Sequence, residues 1–112
     1  MPLDPEKARE RLLALRDELQ AASRHSQQDR APVSLDQQSV GRLSRMDALQ
    51  QQAMAQAAER ARARELQRID AALRRIEEDE YGWCAECGET IAERRLEVDP
   101  CASLCVNCAG RA

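Results

Sequence analysis

The sequence predicts a mostly α-helical protein: an antiparallel helical hairpin, or coiled coil, followed by a small C-terminal module built on four cysteines. Three observations carry that prediction. The 112 residues include 19 Ala and 16 Arg but no Phe, one Trp and one Tyr. Helix formers therefore dominate, and the rings that fill thick cores are scarce. Apolar residues recur at alternating spacings of three and four, the mark of a helical seam. All five cysteines fall between Cys84 and Cys108, so a cysteine-free part precedes a cysteine-rich end.

The elements follow in order. Asp4-Pro5-Glu6 opens a helix: Asp caps, Pro suits the first helical position, and Glu favours the positive end of the dipole. Ala8, Leu12, Leu15, Leu19 and Ala22 then form one apolar stripe, which predicts a helix over about 4–23 that pairs along a single face. Residues 24–34 are polar, contain Pro32 and predict a loop. Ser34 and Gln37 have capping-box spacing for a second helix over about 35–80, interrupted only by Gly41. Its middle is alanine-rich (Ala53, Ala55, Ala57, Ala58, Ala61, Ala63), which suits close helix approach. Leu66, Ile69, Leu73 and Ile76 form a seam that the end module or a second copy of the chain would cover. Gly82 is the expected helix stop. The expected division is thus a hairpin at 1–80 and a module at 81–112, with Tyr81 and Trp83 together at the joint.

Cys84-x2-Cys87, 17 intervening residues and Cys105-x2-Cys108 make the spacing of a four-cysteine structural zinc site. Each turn aims two sulfurs at one centre, and Gly88 after the second Cys eases the first turn. Four thiolates fill a tetrahedron and leave no position for substrate water, so one structural Zn²⁺ is expected. About 30 residues with so few large apolar groups cannot fold without such a staple. A dithiol redox pair or a four-cysteine iron site are the alternatives. Cys101 is the odd thiol, read either as a small buried residue or as a spare, oxidation-sensitive thiol beside the site.

The segment Glu-Glu-Asp-Glu-Tyr-Gly-Trp-Cys84, then Cys87-Gly-Glu-Thr-Ile-Ala-Glu-Arg94-Arg95-Leu-Glu, then Pro100-x4-Cys105-x2-Cys108, resembles the DksA/TraR family over about a third of the chain. The resemblance implies a bacterial transcription regulator that binds RNA polymerase rather than promoter DNA. Its coiled coil would enter the polymerase secondary channel with acidic residues at the tip, its zinc module would sit at the base, and ppGpp would be a shared effector with polymerase. The family tip motif D-x-x-D-x-A is absent. Asp36, beside the loop, and Asp47 are the candidate tip acids, with Arg42 and Arg45 as neighbouring partner contacts. Arg94 and Arg95 match the family's Arg-Arg pair, and are candidates for nucleotide or polymerase contact or for pairing with the acidic run Glu77–Glu80. Four residues follow Cys108, so no counterpart of the C-terminal helix of longer members is expected.

Other classes fare less well. The single His, His25, lies in the polar loop and supports no Ser-His-Asp or Cys-His arrangement, and no Gly-rich phosphate loop occurs, so an enzyme is not expected. No apolar run spans a membrane and MPLDPEKARERL lacks the apolar stretch of a secretory signal, so a cytoplasmic protein with reduced thiols is expected. The net charge of −3 argues against sequence-specific DNA binding. The mixed-charge stretch from Arg60 to Arg75 fits a solvated helix surface, with polymerase or nucleic-acid contact as the alternative. A zinc-ribbon DNA-binding module on a helical dimerisation arm, and a zinc-based redox sensor using Cys101, are the rival functions.

Overall fold

A computed structural model describes residues 4–32 and 42–110. Five helices account for most of them: α1 (Pro5–His25), α2 (Gln27–Arg30), α3 (Arg42–Glu77), α4 (Glu93–Val98) and α5 (Val106–Ala109). No strand forms among the described residues; Trp83 and Thr90 make one isolated antiparallel bridge. The chain divides into two compact units, one from Met1–Asp17 with Leu66–Ala112 and the other Glu18–Glu65. The expected start of the second helix at 35, its Ser34–Gln37 capping box, Gly41 and Asp36 lie outside the described residues.

The first unit holds the apolar core. Asp4 caps α1 as its sequence suggests, its Oδ1 accepting from the Glu6 N–H at 3.0 Å. The stripe then buries Ala8 and Leu12, while the seam of α3 buries Ile69, Ala72 and Ile76. Arg16 of α1 lies 3.7 Å from Asp70 of α3. Ile69 and Ile76 are thus covered within the unit, and only Leu66 and Leu73 of that seam stay half-exposed.

The end of α3 corrects the expected stop. The helix finishes at Glu77, not Glu80, and Asp79 rather than Gly82 makes the break, at φ 58°. Asp79 N–H donates to Ile76 O at 3.2 Å and Glu80 N–H to Arg75 O at 2.8 Å. This pair of bonds is the Schellman closure, which usually has glycine where Asp79 stands. Arg74 and Arg75 in the last turn offset the dipole conflict created by the acidic run. A side chain at positive φ costs on the order of 1 kcal/mol relative to glycine. Asp79→Gly is therefore expected to stabilise the protein by about 1 kcal/mol, seen as a higher unfolding midpoint in zinc-saturated urea titrations. A lower midpoint would show that the Asp79 carboxylate contributes more than the backbone strain costs.

The second unit is joined by polar groups, not by the alanines. Ala48, Gln52, Ala55, Glu59, Arg62 and Glu65 are the half-buried positions of α3 here, at spacings of four and three, whereas Ala53, Ala57, Ala58, Ala61 and Ala63 are exposed. The phase of the seam, carried back along α3, turns those alanines outward. Ser23 Oγ donates to Glu59 Oε1 at 2.7 Å, and Arg62 Nε reaches the same oxygen at 2.9 Å. Arg30 NH1 lies 3.2 Å from Glu59 Oε2. Arg62 NH2 also donates to Ser26 Oγ at 2.9 Å. Hydrogen bonds from Ser23 and Arg62, with the charges of Arg30 and Arg62, hold the Glu59 carboxyl below its usual range. Gln52 Nε2 donates to Ala31 O at 2.9 Å, so the two segments run antiparallel.

The same arginines explain why the expected loop at 24–34 is partly helical. α1 continues to His25, and α2 follows after Ser26. Arg30 folds back, donating from NH2 to Ser23 O at 2.6 Å and from Nε to Ser26 Oγ at 3.1 Å. It thus adds to the bond that the Ser26 hydroxyl gives Ser23 O at 3.3 Å, closing the end of α1.

Candidate metal centre

The module is assembled from two tight turns and two short helices, all within the first unit. In the first turn Gly88 N–H donates to Cys84 O at 3.0 Å and Cys84 N–H to Glu89 O at 2.7 Å. Gly88 takes φ +76°, and a Cβ there would meet nothing within 4 Å. Its glycine relieves backbone strain rather than a steric clash. The second turn is the start of α5, where Cys105 is the N-cap and its Sγ accepts from Cys108 N–H at 3.5 Å. A third backbone bond, Ala85 N–H to Ser103 O at 2.8 Å, ties the two turns together.

These turns bring Cys84, Cys87, Cys105 and Cys108 together, with the four sulfurs all within 4.8 Å of one another. Cys87 Sγ and Cys105 Sγ are 3.7 Å apart. A tetrahedron of zinc–thiolate bonds of about 2.3 Å has edges of about 3.8 Å, so the donor set fits Zn²⁺ in both chemistry and size. None of the five cysteines is disulfide-bonded. The electrostatics also call for a cation. Backbone N–H groups of Cys87 and Cys105 hold the Cys84 thiol down to about 6. The sulfurs of Cys105 and Cys84 push Cys108 up to about 12. One thiolate forms readily; further thiolates beside it need a positive centre. Bound there, zinc would supply a structural cross-link, with every position filled by sulfur.

The support beneath the site comes from residues that spacing alone did not reveal. Tyr81 is 2% exposed and its hydroxyl donates to Pro100 O at 2.8 Å. Trp83 is 42% exposed, so only Tyr81 of the two aromatics is buried. The Tyr81 ring finds a buried carbonyl for its hydroxyl, while the Trp83 indole stays partly open to solvent. Ile91 and Leu96 complete the core, Leu96 from α4. Arg75 NH2 donates to Cys101 O at 3.1 Å. Arg68 NH2 meets Asp99 Oδ2 at 2.6 Å, and Asp99 Oδ1 in turn accepts from Cys101 N–H at 3.1 Å. α4 and α5 were not foreseen, because six and four residues are too short for a periodic signal.

The remaining candidates disperse. Cys101 is buried and stands outside the sulfur tetrad. Arg95 donates from Nε to Leu104 O at 2.9 Å, holding the approach to the second turn, whereas Arg94 is exposed. Among the described residues, no hydrogen bond or ion pair links either arginine to Glu77–Glu80. Arg45 and Asp47 are exposed on the first turns of α3, and Arg42 is its first residue. No described helix is long and apolar enough to cross a membrane.

Comparisons with known proteins converge on this region. Residues 79–112 match the prokaryotic dksA/traR C4-type zinc-finger model. The RNA polymerase-binding transcription factor DksA of Haemophilus influenzae is 44% identical over 43 residues, covering 38% of this chain and 30% of that protein. Its namesake in Escherichia coli K12 is 40% identical over 43 residues, covering 38% and 28%. The matched stretch thus spans less than a third of those curated relatives. The solved structure of transcription factor DksA2 from Pseudomonas aeruginosa aligns with 96% of this chain and 81% of its own, at a TM-score of 0.78 and 29% identity.

Proposed function

Because this chain belongs to the DksA/TraR family, we propose that it is a transcription regulator that binds RNA polymerase. The observation that carries the reading is the alignment of 96% of the chain with a solved DksA2 transcription factor, which extends well beyond the zinc finger. Residues 1–80 act as the inserted hairpin, entering the polymerase secondary channel. Residues 81–112 act as the zinc module, with Cys84, Cys87, Cys105 and Cys108 as ligands. Asp36 or Asp47 supplies the acid near the catalytic centre, flanked by Arg42 and Arg45. Exposed Asp47 has no partner of its own among the described residues, which supports a role outside the fold.

The effector ppGpp belongs to this reading as a ligand shared with polymerase, with Arg94 as its exposed candidate contact. Self-association through Leu66–Ile76 has only the half-exposed Leu66 and Leu73 to work with, so a lone chain on polymerase is the simpler arrangement. The experiment is a pull-down of core polymerase with wild type, Asp36→Asn and Asp47→Asn, followed by run-off transcription. Binding by all three, with regulation lost in one aspartate variant, is expected. Unchanged regulation in both variants would sink the acidic-tip mechanism, and no pull-down by wild type would sink the polymerase reading itself.

A further inference from the structure

The two pairs of zinc ligands are held in different ways. The Cys84–Cys87 turn closes on its own backbone: Gly88 N–H donates to Cys84 O, Cys84 N–H to Glu89 O, and Ile91 N–H to Gly82 O at 2.8 Å. Cys105 and Cys108 instead follow a segment, Asp99–Leu104, that belongs to no helix. Among the described residues, its one internal backbone bond is Ala102 N–H to Asp99 O at 3.1 Å. Four of its carbonyls are held from outside. Pro100 O accepts from Tyr81, Cys101 O from Arg75 NH2 at 3.1 Å, Ser103 O from Ala85 N–H, and Leu104 O from Arg95 Nε at 2.9 Å. Arg75 stands in the last turn of α3 and Arg95 in α4, and both are half-buried. Both of their bonds are partly shielded from water, where an unpaired carbonyl is costly and a guanidinium donor makes a stronger bond than a neutral one.

We infer that Arg75 and Arg95 are positioning residues for the second ligand pair: by holding the carbonyls of Cys101 and Leu104 they set where Cys105 and Cys108 sit, and so how long the site retains zinc. The inference rests on the four-thiolate zinc site. It adds which residues outside the tetrad govern retention, and which pair yields first. Leu104 directly precedes Cys105, so the bond from Arg95 fixes the direction in which the chain enters the ligand turn. Arg75 acts three residues earlier and ties that approach to the end of α3. Cys84 and Cys87 have no such dependence, because the bonds that close their turn come from the turn itself. Loss of either arginine therefore loosens one pair and not the other. Partners that orient ligands without touching the metal change metal affinity by about 10–100-fold.

The test uses full-length, zinc-loaded protein as wild type, Arg75→Met, Arg95→Met and Arg74→Met. Arg74 is exposed and adjacent to Arg75, and makes no hydrogen bond among the described residues, so its substitution removes the same charge without removing a carbonyl contact. Zinc transfer to a chelating dye gives the release rate. Alkylation by iodoacetamide, mapped by mass spectrometry, gives the reactivity of each cysteine, and helical circular dichroism is the fold control. Arg75→Met and Arg95→Met should each release zinc on the order of tenfold faster with helix content kept. Their alkylation rates should rise over wild type at Cys105 and Cys108 and not at Cys84 and Cys87, while Arg74→Met behaves as wild type. Arg75→Lys and Arg95→Lys keep a donor and should fall between wild type and the Met variants; they decide the matter if a Met variant loses helix. Release at the wild-type rate in the Arg75 and Arg95 variants overturns the inference and leaves the zinc site standing. Equal acceleration by Arg74→Met, or an equal rise at all four cysteines, shows charge loss or general loosening and also overturns it. A wild type that holds no zinc overturns the site and the inference together.

Discussion

Cys84→Ser or Cys108→Ser is expected to release the zinc and unfold residues 81–110, the largest effect of any single substitution in this chain. Structural zinc binding is worth roughly 10–16 kcal/mol in comparable small modules at neutral pH. Little else holds these residues. Their buried apolar side chains are few, chiefly Tyr81, Ile91 and Leu96, and their backbone is mostly turns and two short helices. Cys108 sits in α5 and Cys84 in the first turn, so losing either sulfur also loosens the element that positions it. The measurement is zinc per chain after dialysis, paired with limited proteolysis. Wild type should retain one zinc and resist cleavage; each variant should lose both properties. A variant that keeps its metal and its protease resistance would refute the four-thiolate site. Cys101→Ser is the control, since Cys101 lies outside the tetrad and should leave zinc content unchanged.

Leu12→Ala is expected to cost about 3 kcal/mol, within the usual range for a large-to-small change in a closed core. Leu12 and Ile69 are both 0% exposed in the first unit, with Ala8, Ala72 and Ile76 also buried. Small neighbours make this core thin, so one leucine is a large share of it. Domains of this size have only about 5–15 kcal/mol of stability in all. Urea unfolding in excess zinc, followed by circular dichroism, reads the loss as a lower midpoint. Ile69→Val, which removes one methylene, should cost about 1 kcal/mol. A Leu12→Ala loss below that of Ile69→Val would mean that the two helices are not held by this contact.

The cysteine tetrad and the apolar stripe were legible in the sequence because each obeys a short, fixed spacing. Cys84-x2-Cys87 and Cys105-x2-Cys108 define one centre without knowledge of the intervening fold. Leu12 and Ile69 likewise sit where a helical repeat places them. Asp79 was not legible, because the left-handed break competes with a glycine three residues later and aspartate is the rarer choice. The different burial of Tyr81 and Trp83 was not legible either, because ring size does not say which ring reaches a buried acceptor, as Tyr81 does at Pro100 O. The polar seam was hidden for a different reason. Glu59 and Arg62 look like ordinary helix-surface charges until Ser23, Ser26 and Arg30 are folded against them. Arg30 gets there only because α2 extends a segment whose Pro and polar residues read as loop.

That seam has a consequence for alignment. A stripe of alanines or leucines tolerates sliding by a heptad, because each step replaces one apolar contact by another like it. A carboxylate that must meet Ser23, Arg30 and Arg62 together accepts only one alignment. Displacing this part of α3 by about seven residues, roughly 10 Å, would put Gln52 or Leu66 in its place and strand the arginines. Glu59 thus works as a key that sets the register between the paired segments, fixing which residues of α1 and α3 stand opposite one another.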